Sequence, residues 1–155
     1  MRRSRAEQRI LPPDIKYDSV EVARFINKVM LCGKKTVAQG IVYDALEGLE
    51  DRTKRPALEV FQDALRNATP LLQVKPRRVG GATYQVPLEV TPQRGQQMAT
   101  RWLIVGARSR KGRPMKEKLT QELLDASKGE GSAVKKREDL HRMAEANRAF
   151  VHYRW

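Results

Sequence analysis

Cysteine and long apolar runs are scarce in this sequence of 155 residues. The one cysteine, Cys32, cannot form a disulfide within the chain, which excludes a fold held by internal disulfides and suits a reducing compartment. No run approaches the roughly 18 to 20 consecutive apolar residues of a transmembrane helix, and no apolar signal segment follows the N-terminal arginines. We therefore expect a cytoplasmic protein without a membrane partner.

Catalytic and cofactor-binding motifs are also missing. The spacing of Cys32, His141 and His152 links them neither as a nucleophile and base nor as metal ligands. The run from Gly33 to Thr36 differs from a phosphate-binding loop, because Lys28 stands where the motif needs glycine and Lys35 where it needs serine or threonine. We expect no enzymatic activity, no metal, no cofactor and no small-molecule substrate.

Acidic residues are few, and their distribution is uneven. The chain has 31 Lys and Arg against 18 Asp and Glu, a net charge of +13. The segment from residue 64 to residue 116 contains eleven basic residues and one acidic residue, Glu89. Such a chain binds polyanions, and without a membrane-directed segment the favoured partner is a nucleic acid. With 40% apolar residues, the chain is also expected to fold around a core.

The apolar pattern predicts a mostly α fold in one domain. Residues 1–17, with the Pro12-Pro13 pair, predict an extended basic arm, and residues 18–155 predict a single helical domain of six helices. Asp18 with Glu21 resembles a capping box for the first helix, and Thr36 is expected to cap the second. In the fourth helix the predicted buried stripe is built from Met98, Trp102, Val105 and their apolar neighbours Ala99, Leu103 and Ile104.

A switch to a period of two predicts a β-hairpin at about residues 72–90, between helices three and four. Tyr84, Val86 and Leu88 alternate after the Gly80-Gly81 pair, which suits a tight turn. Pro76 and Pro87 lack backbone donors, so an isolated two-stranded ribbon is expected rather than a larger sheet. Such a ribbon would project from the helical body.

Three basic segments are predicted to lie on projecting parts of the fold: the arm, the hairpin tip and a loop spanning residues 108–116. Lys135-Lys136-Arg137, in contrast, suits an ordinary solvated helix face. Folded RNA, with its irregular junctions, is favoured as the partner, and a duplex-bending DNA protein is the alternative. Tyr84, Tyr153 and Trp155 either stack on bases or pack against the protein body.

Several sequence strings resemble the bacterial-type small-subunit ribosomal protein seven family. The hairpin carries Arg77-Arg78-Val79-Gly80-Gly81-Ala82 followed by Tyr84-Gln85-Val86-Pro87. The C-terminal part carries Arg142-Met143-Ala144-Glu145-Ala146-Asn147-Arg148-Ala149-Phe150 and His152-Tyr153-Arg154-Trp155. Similar matches occur at Phe25-Ile26-Asn27-Lys28 and Gly33-Lys34-Lys35. The resemblance covers essentially the whole chain.

The resemblance implies a helical bundle with a protruding hairpin that binds the 3′ major domain of small-subunit ribosomal RNA and nucleates assembly of the subunit head. It implies a position at the subunit interface near exit-site tRNA, beside small-subunit ribosomal proteins nine and eleven. The implied ribosomal-RNA contacts are Arg2, Arg3, Arg5, Arg9, Lys16, Lys28, Lys34, Lys35, Lys75, Arg77, Arg78, Arg94, Arg101, Arg108, Arg110, Lys111, Arg113, Met115, Lys116 and Lys118. The implied tRNA-proximal residues are Arg78, Gly80, Gly81, Tyr84, Arg142, Arg148, Tyr153, Arg154 and Trp155. Relatives often carry two adjacent basic residues where this chain has Gln93-Arg94-Gly95, so one phosphate contact is expected to be missing there.

Overall fold

The architecture is seen in a computed structural model that describes residues 10–153. The predicted contacts Arg2, Arg3, Arg5, Arg9, Arg154 and Trp155 lie outside this part of the chain. The mostly helical fold, with one hairpin between the third and fourth helices, is confirmed. Its elements are α1 (Val20–Val29), α2 (Lys35–Thr53), α3 (Ala57–Ala68), β1 (Leu72–Val79), β2 (Ala82–Glu89), α4 (Pro92–Ser109), α5 (Met115–Ser127), α6 (Gly131–Ala146) and a C-terminal 3-10 helix (Arg148–Tyr153).

Both cap predictions are wrong, the first by one residue and the second, where the N-cap is Lys34, by two. The N-cap of α1 is Ser19, whose hydroxyl oxygen accepts a hydrogen bond from the Val22 amide at 3.4 Å, while Asp18 has a left-handed φ of 44° just outside the helix. Helix α2 begins at Lys35, so Thr36 is already helical. In the tight turn before α2, the Lys35 amide donates a hydrogen bond to the Gly33 carbonyl. This turn makes α2 begin before Thr36.

The end of the predicted arm is a fixed turn and not an extended segment. The buried Asp14 carboxylate accepts hydrogen bonds from the Lys16 and Tyr17 amides and from the Tyr43 hydroxyl, at 2.9 to 3.3 Å. Because Tyr43 belongs to α2, these bonds tie the turn to the helical body.

The hairpin forms as the sequence predicts. Within residues 10–153, β1 and β2 pair only with each other, antiparallel, in a register that runs from Leu72 opposite Glu89 to Val79 opposite Ala82. Gly80 and Gly81 connect them with φ values of 58° and 90°, the left-handed conformations that a two-residue type I′ turn requires. The hairpin is held against the rest of the protein, since α6 and the 3-10 helix pack against its strands.

The loop after α4 is shorter than predicted. Helix α4 continues to Ser109 and α5 begins at Met115, so only residues 110–114 are irregular. Arg108 is therefore helical, as are Met115, Lys116 and Lys118. Pro114 allows α5 to start immediately, because its missing amide hydrogen is not needed there.

All six α-helices contribute to one apolar core. Phe25 and Phe61 meet edge to face at 5.1 Å, and α4 and α5 each contact four other helices. In α4 the buried side is formed by Gly95, Ala99, Leu103, Ile104, Gly106 and Ala107. The prediction that Val105 is buried is wrong. The small residues on the buried side of α4 let the neighbouring helices pack against that side, and Val105 lies on the exposed side. Among the described residues, no helix is both long and apolar enough to span a bilayer.

Candidate nucleic-acid interface

Helix α4 carries a row of arginines without any acidic residue. Arg94, Arg101 and Arg108 are spaced by seven residues, which places them on one side of the helix, and all three are exposed. At 1.5 Å per residue the row is about 21 Å long. Such a row is suited to following the phosphates of a nucleic-acid backbone.

The two ends of this row contact other elements. Arg94 Nε donates to Gln73 Oε1 of β1 at 3.2 Å, and Arg108 Nη2 donates to the Val29 carbonyl of α1 at 3.1 Å. The row therefore runs from the base of the hairpin to the end of α1. Two exposed lysines follow: Lys34 in the turn between α1 and α2, and Lys35 as the first residue of α2.

Helix α1 adds two more exposed cations beside α4. Glu21 contacts Gln96 near the start of both helices, and Val29 contacts Arg108 near their ends, so α1 and α4 run in the same direction. Arg24 and Lys28 lie four residues apart on α1. We call Arg24, Lys28, Arg94, Arg101 and Arg108 the α1–α4 basic face. Sequence analysis missed Arg24, although its spacing from Lys28 placed both on one side of α1.

The segment from Arg110 to Lys118 contributes fewer free cations than predicted. Arg110 forms ion pairs with Glu122 and Asp125, both at 2.6 Å, and Lys116 pairs with Asp44 of α2 at 3.1 Å. Burial lowers the pKa of Arg110, but its hydrogen bonds to these two carboxylates outweigh burial and raise the pKa overall. Met115 packs against the core, which leaves Lys111, Arg113 and Lys118 beside an open cleft.

Lys16 is also held by the protein itself. Its ammonium group forms an ion pair with Glu47 of α2 and lies 5.5 and 5.3 Å from the ring centres of Tyr17 and Tyr43. The hydrogen bond with Glu47 raises the pKa of Lys16. A phosphate contact by Lys16 would compete with these interactions.

In the hairpin, Lys75 and Arg78 are exposed, whereas Arg77 is half-buried opposite Tyr84.

The tRNA-proximal candidates fall into two groups. Tyr84 packs against the 3-10 helix, with its ring 5.1 Å from Phe150 and 5.3 Å from Tyr153. The C-terminal segment therefore braces the hairpin. Arg142 and Arg148 are exposed and form solvent-screened ion pairs with acids three residues away, Asp139 and Glu145.

Replacing Tyr84 with alanine should loosen the C-terminal segment without unfolding the helical bundle. Each aromatic pair contributes about 0.5 to 1.5 kcal/mol beyond burial, and this change removes two. We expect amide hydrogen exchange in the 3-10 helix to accelerate roughly tenfold. The matched control is Thr83→Ala, at the exposed neighbouring position. Unchanged exchange in the Tyr84→Ala variant would show that the rings do not hold the segment.

A histidine at the base of the hairpin gives a pH-dependent contribution to stability. His141 Nε2 accepts a hydrogen bond from the Leu71 amide at 3.1 Å, in a cleft that also contains Arg66, Arg137 and Glu138. Burial, assisted by the charge of Arg137, lowers the pKa of His141 below its ordinary 6.5. Protonation would also remove the acceptor of the Leu71 amide.

The direction of the pH effect follows from linkage. Between the folded pKa and about 6.5 the unfolded chain binds more protons at His141, so the folded state loses stability as pH falls through this window. We expect the urea midpoint of the wild type to fall more between about pH 7.5 and pH 5.5 than that of His141→Gln. The carboxylates titrate alike in both proteins, so equal pH profiles would contradict this prediction.

Comparisons with known proteins identify the family of this chain. The family model described as "Ribosomal protein S7p/S5e" matches residues 1–148. The chain is 59% identical over 155 residues to the "Small ribosomal subunit protein uS7" of Thermotoga petrophila, covering 100% of both chains. It is 57% identical over 154 residues to the protein of the same name from Dictyoglomus thermophilum, covering 99% of both. Since the family model covers nearly the whole chain and these relatives align from end to end, the protein belongs to the ribosomal protein S7p/S5e family.

Proposed function

We propose that this protein is a structural component of the small ribosomal subunit that binds the 3′ major domain of its ribosomal RNA and nucleates assembly of the subunit head. The observation that carries the proposal is the α1–α4 basic face, where five exposed cations lie on two parallel helices and α4 has no acid. Membership in a ribosomal protein family supports the same role.

The role follows from electrostatics. RNA helices that converge at a junction bring phosphates close together, and their repulsion opposes the compact form. The α1–α4 basic face would neutralise the phosphates of one RNA helix. The exposed lysines of the α1–α2 turn and of the loop after α4 would contact the RNA from other directions. Binding thus stabilises the folded junction without any chemical step.

The hairpin and the C-terminal segment form the proposed tRNA side, at the subunit interface near the exit site. Arg78 beside the Gly80-Gly81 turn would contact tRNA, while Tyr84 orients the hairpin through its packing on Phe150 and Tyr153. We therefore expect Arg78→Gln to impair tRNA binding more than folding. Small-subunit ribosomal proteins nine and eleven are the proposed protein neighbours.

The test is filter binding of the full-length protein across a salt series to three ligands of equal length. These are the 3′ domain of small-subunit ribosomal RNA, an unrelated folded RNA and duplex DNA. Clear preference for the ribosomal fragment at physiological salt is expected, with affinity falling steeply as salt rises. Equal binding to all three would overturn the proposal and favour a DNA-bending architectural protein.

A further inference from the structure

A cavity of about 650 Å³ opens between α1 and α4, where Arg24 and Lys28 of the α1–α4 basic face line it. This volume lies in the range of about 300 to 1,000 Å³ that small-ligand sites occupy. Its floor is apolar and includes Leu65, a residue only 7% exposed, together with Val20. Ile10, which also lines the cavity, is 95% exposed. The space therefore suits a flat apolar surface that arrives from outside.

The walls of the cavity carry chemistry that phosphate binding does not require. Asn27 on α1 and Gln93 and Gln97 on α4 each supply amide donors and an acceptor. Arg24 and Lys28 stand on the α1 side, where they can hold the phosphates on either side of one nucleotide. Cations alone suffice for a nucleic-acid backbone, whereas side-chain amides can form hydrogen bonds with the edge of a base.

Glu21 gives the cavity a preference for groups that donate hydrogen bonds. Its carboxylate lines the same space and accepts a hydrogen bond from Gln96 Nε2 at 3.2 Å. An ionised carboxylate only accepts hydrogen bonds and has about four lone-pair sites, so acceptor capacity remains after this bond. It would repel a phosphate, but it complements N–H donors on a base edge. Among the RNA bases, guanine presents two adjacent donor groups on its Watson–Crick edge.

We propose that this cavity receives one unstacked base of the RNA partner and that Glu21 selects guanine. The inference rests on the proposed function, because it assumes that RNA lies along the α1–α4 basic face. The base would lie over Leu65 and Val20, with Gln97 and Asn27 at its polar edges. Arg24 and Lys28 would hold its flanking phosphates.

The experiment measures binding of the full-length protein to single-stranded RNA of sequence AAAXAAA, with X as each of the four bases, by fluorescence anisotropy at low salt. We expect the RNA with X as guanine to bind about tenfold more tightly than those with adenine or uracil. In Glu21→Gln this preference should fall below about threefold, since the amide keeps one acceptor oxygen but replaces the other with a donor, which cannot bond the second donor of guanine. Gln97→Ala, at an exposed position of α4, should weaken binding of all four RNAs.

The matched control is Glu50→Gln, which makes the same charge change at an exposed position of α2, outside the cavity. It should keep the guanine preference, and thermal melts should show that every variant folds. Absence of a guanine preference in the wild type would overturn the inference, as would a preference that Glu21→Gln retains. If the salt series still showed preference for the ribosomal fragment, only the cavity would be wrongly assigned. Loss of that preference would instead count against the proposed function.

Discussion

Replacing Glu122 with alanine should lower the free energy of unfolding by about 3 kcal/mol. This carboxylate is 1% exposed and connects three helices. Oε2 accepts from Arg110 Nε and Nη2 at 2.9 and 2.6 Å, and Oε1 accepts from Ser132 Oγ at 2.7 Å and the Ala133 amide at 3.2 Å. Without it, the first turn of α6 and the end of α4 lose their common partner.

The expected loss lies at the lower end of the range for breaking a buried ion pair, which is about 3 to 5 kcal/mol. Arg110 remains about one-third exposed and keeps its contact with Asp125, so its charge is not stranded. The loss of the cap is the second cost, because the side chain of Glu130, the N-cap residue of α6, does not cap the helix and Glu122 of α5 supplies the acceptor instead.

Urea denaturation followed by circular dichroism measures this loss. The control is Glu145→Ala, which removes an exposed carboxylate and should change stability by less than about 0.5 kcal/mol. A second variant, Gly106→Ala, tests the same cluster from α4: its new Cβ would lie 2.5 Å from Glu122 Oε1 and even closer to Ser132 Oγ. Unchanged urea midpoints for both Glu122→Ala and Gly106→Ala would show that the cluster adds no stability.

Deleting residues 2–9 should weaken binding to the ribosomal RNA fragment by about tenfold to a hundredfold at physiological salt. The deleted segment contains Arg2, Arg3, Arg5 and Arg9. If each arginine contacts one phosphate, the slope of log affinity against log salt should become shallower by roughly 3. Filter binding over the salt series measures both quantities. The deletion stops at residue 9 because Asp14 and Lys16 are bound to α2, and their removal would also disturb the fold.

The control for this deletion removes the same net charge from helices and turns outside the proposed interface. The deletion removes four arginines and one glutamate, a change of 4 − 1 = 3 positive charges. The triple variant Lys54→Gln, Lys135→Gln, Lys136→Gln removes three exposed lysines. It should leave the salt slope close to the wild-type value. Equal salt slopes in the deletion variant and the wild type would contradict the proposed role of the arm in RNA binding.

The fold was largely predictable because its determinants are local. Val22, Phe25 and Ile26 recur at helical spacing and are buried, and the change of period before the Gly80-Gly81 pair marked the hairpin. Caps were less predictable. Asp18, Ser19 and Thr36 all have side chains that can cap a helix, and only the geometry of the preceding turn selects one of them.

The candidate site was predictable in part. The excess of cations between residues 64 and 116, and the row of Arg94, Arg101 and Arg108 on one helix, can be read from spacing. Spacing does not show which of these cations lack an acidic partner within the protein. Arg110 and Lys116 look like neighbours of Lys111 and Arg113, yet their partners Glu122 and Asp44 lie 12 and 72 residues away in the chain.

The sequence by itself determined the class of fold, the hairpin and the positive charge, because these depend on composition and on periodicity within one element. Only the tertiary structure decided that α1 and α4 run side by side, that Glu122 caps α6 from another helix and that Tyr84 packs on the C-terminal segment. These features join residues distant in the chain. Their pairing is set by how the helices pack together, which no local pattern encodes.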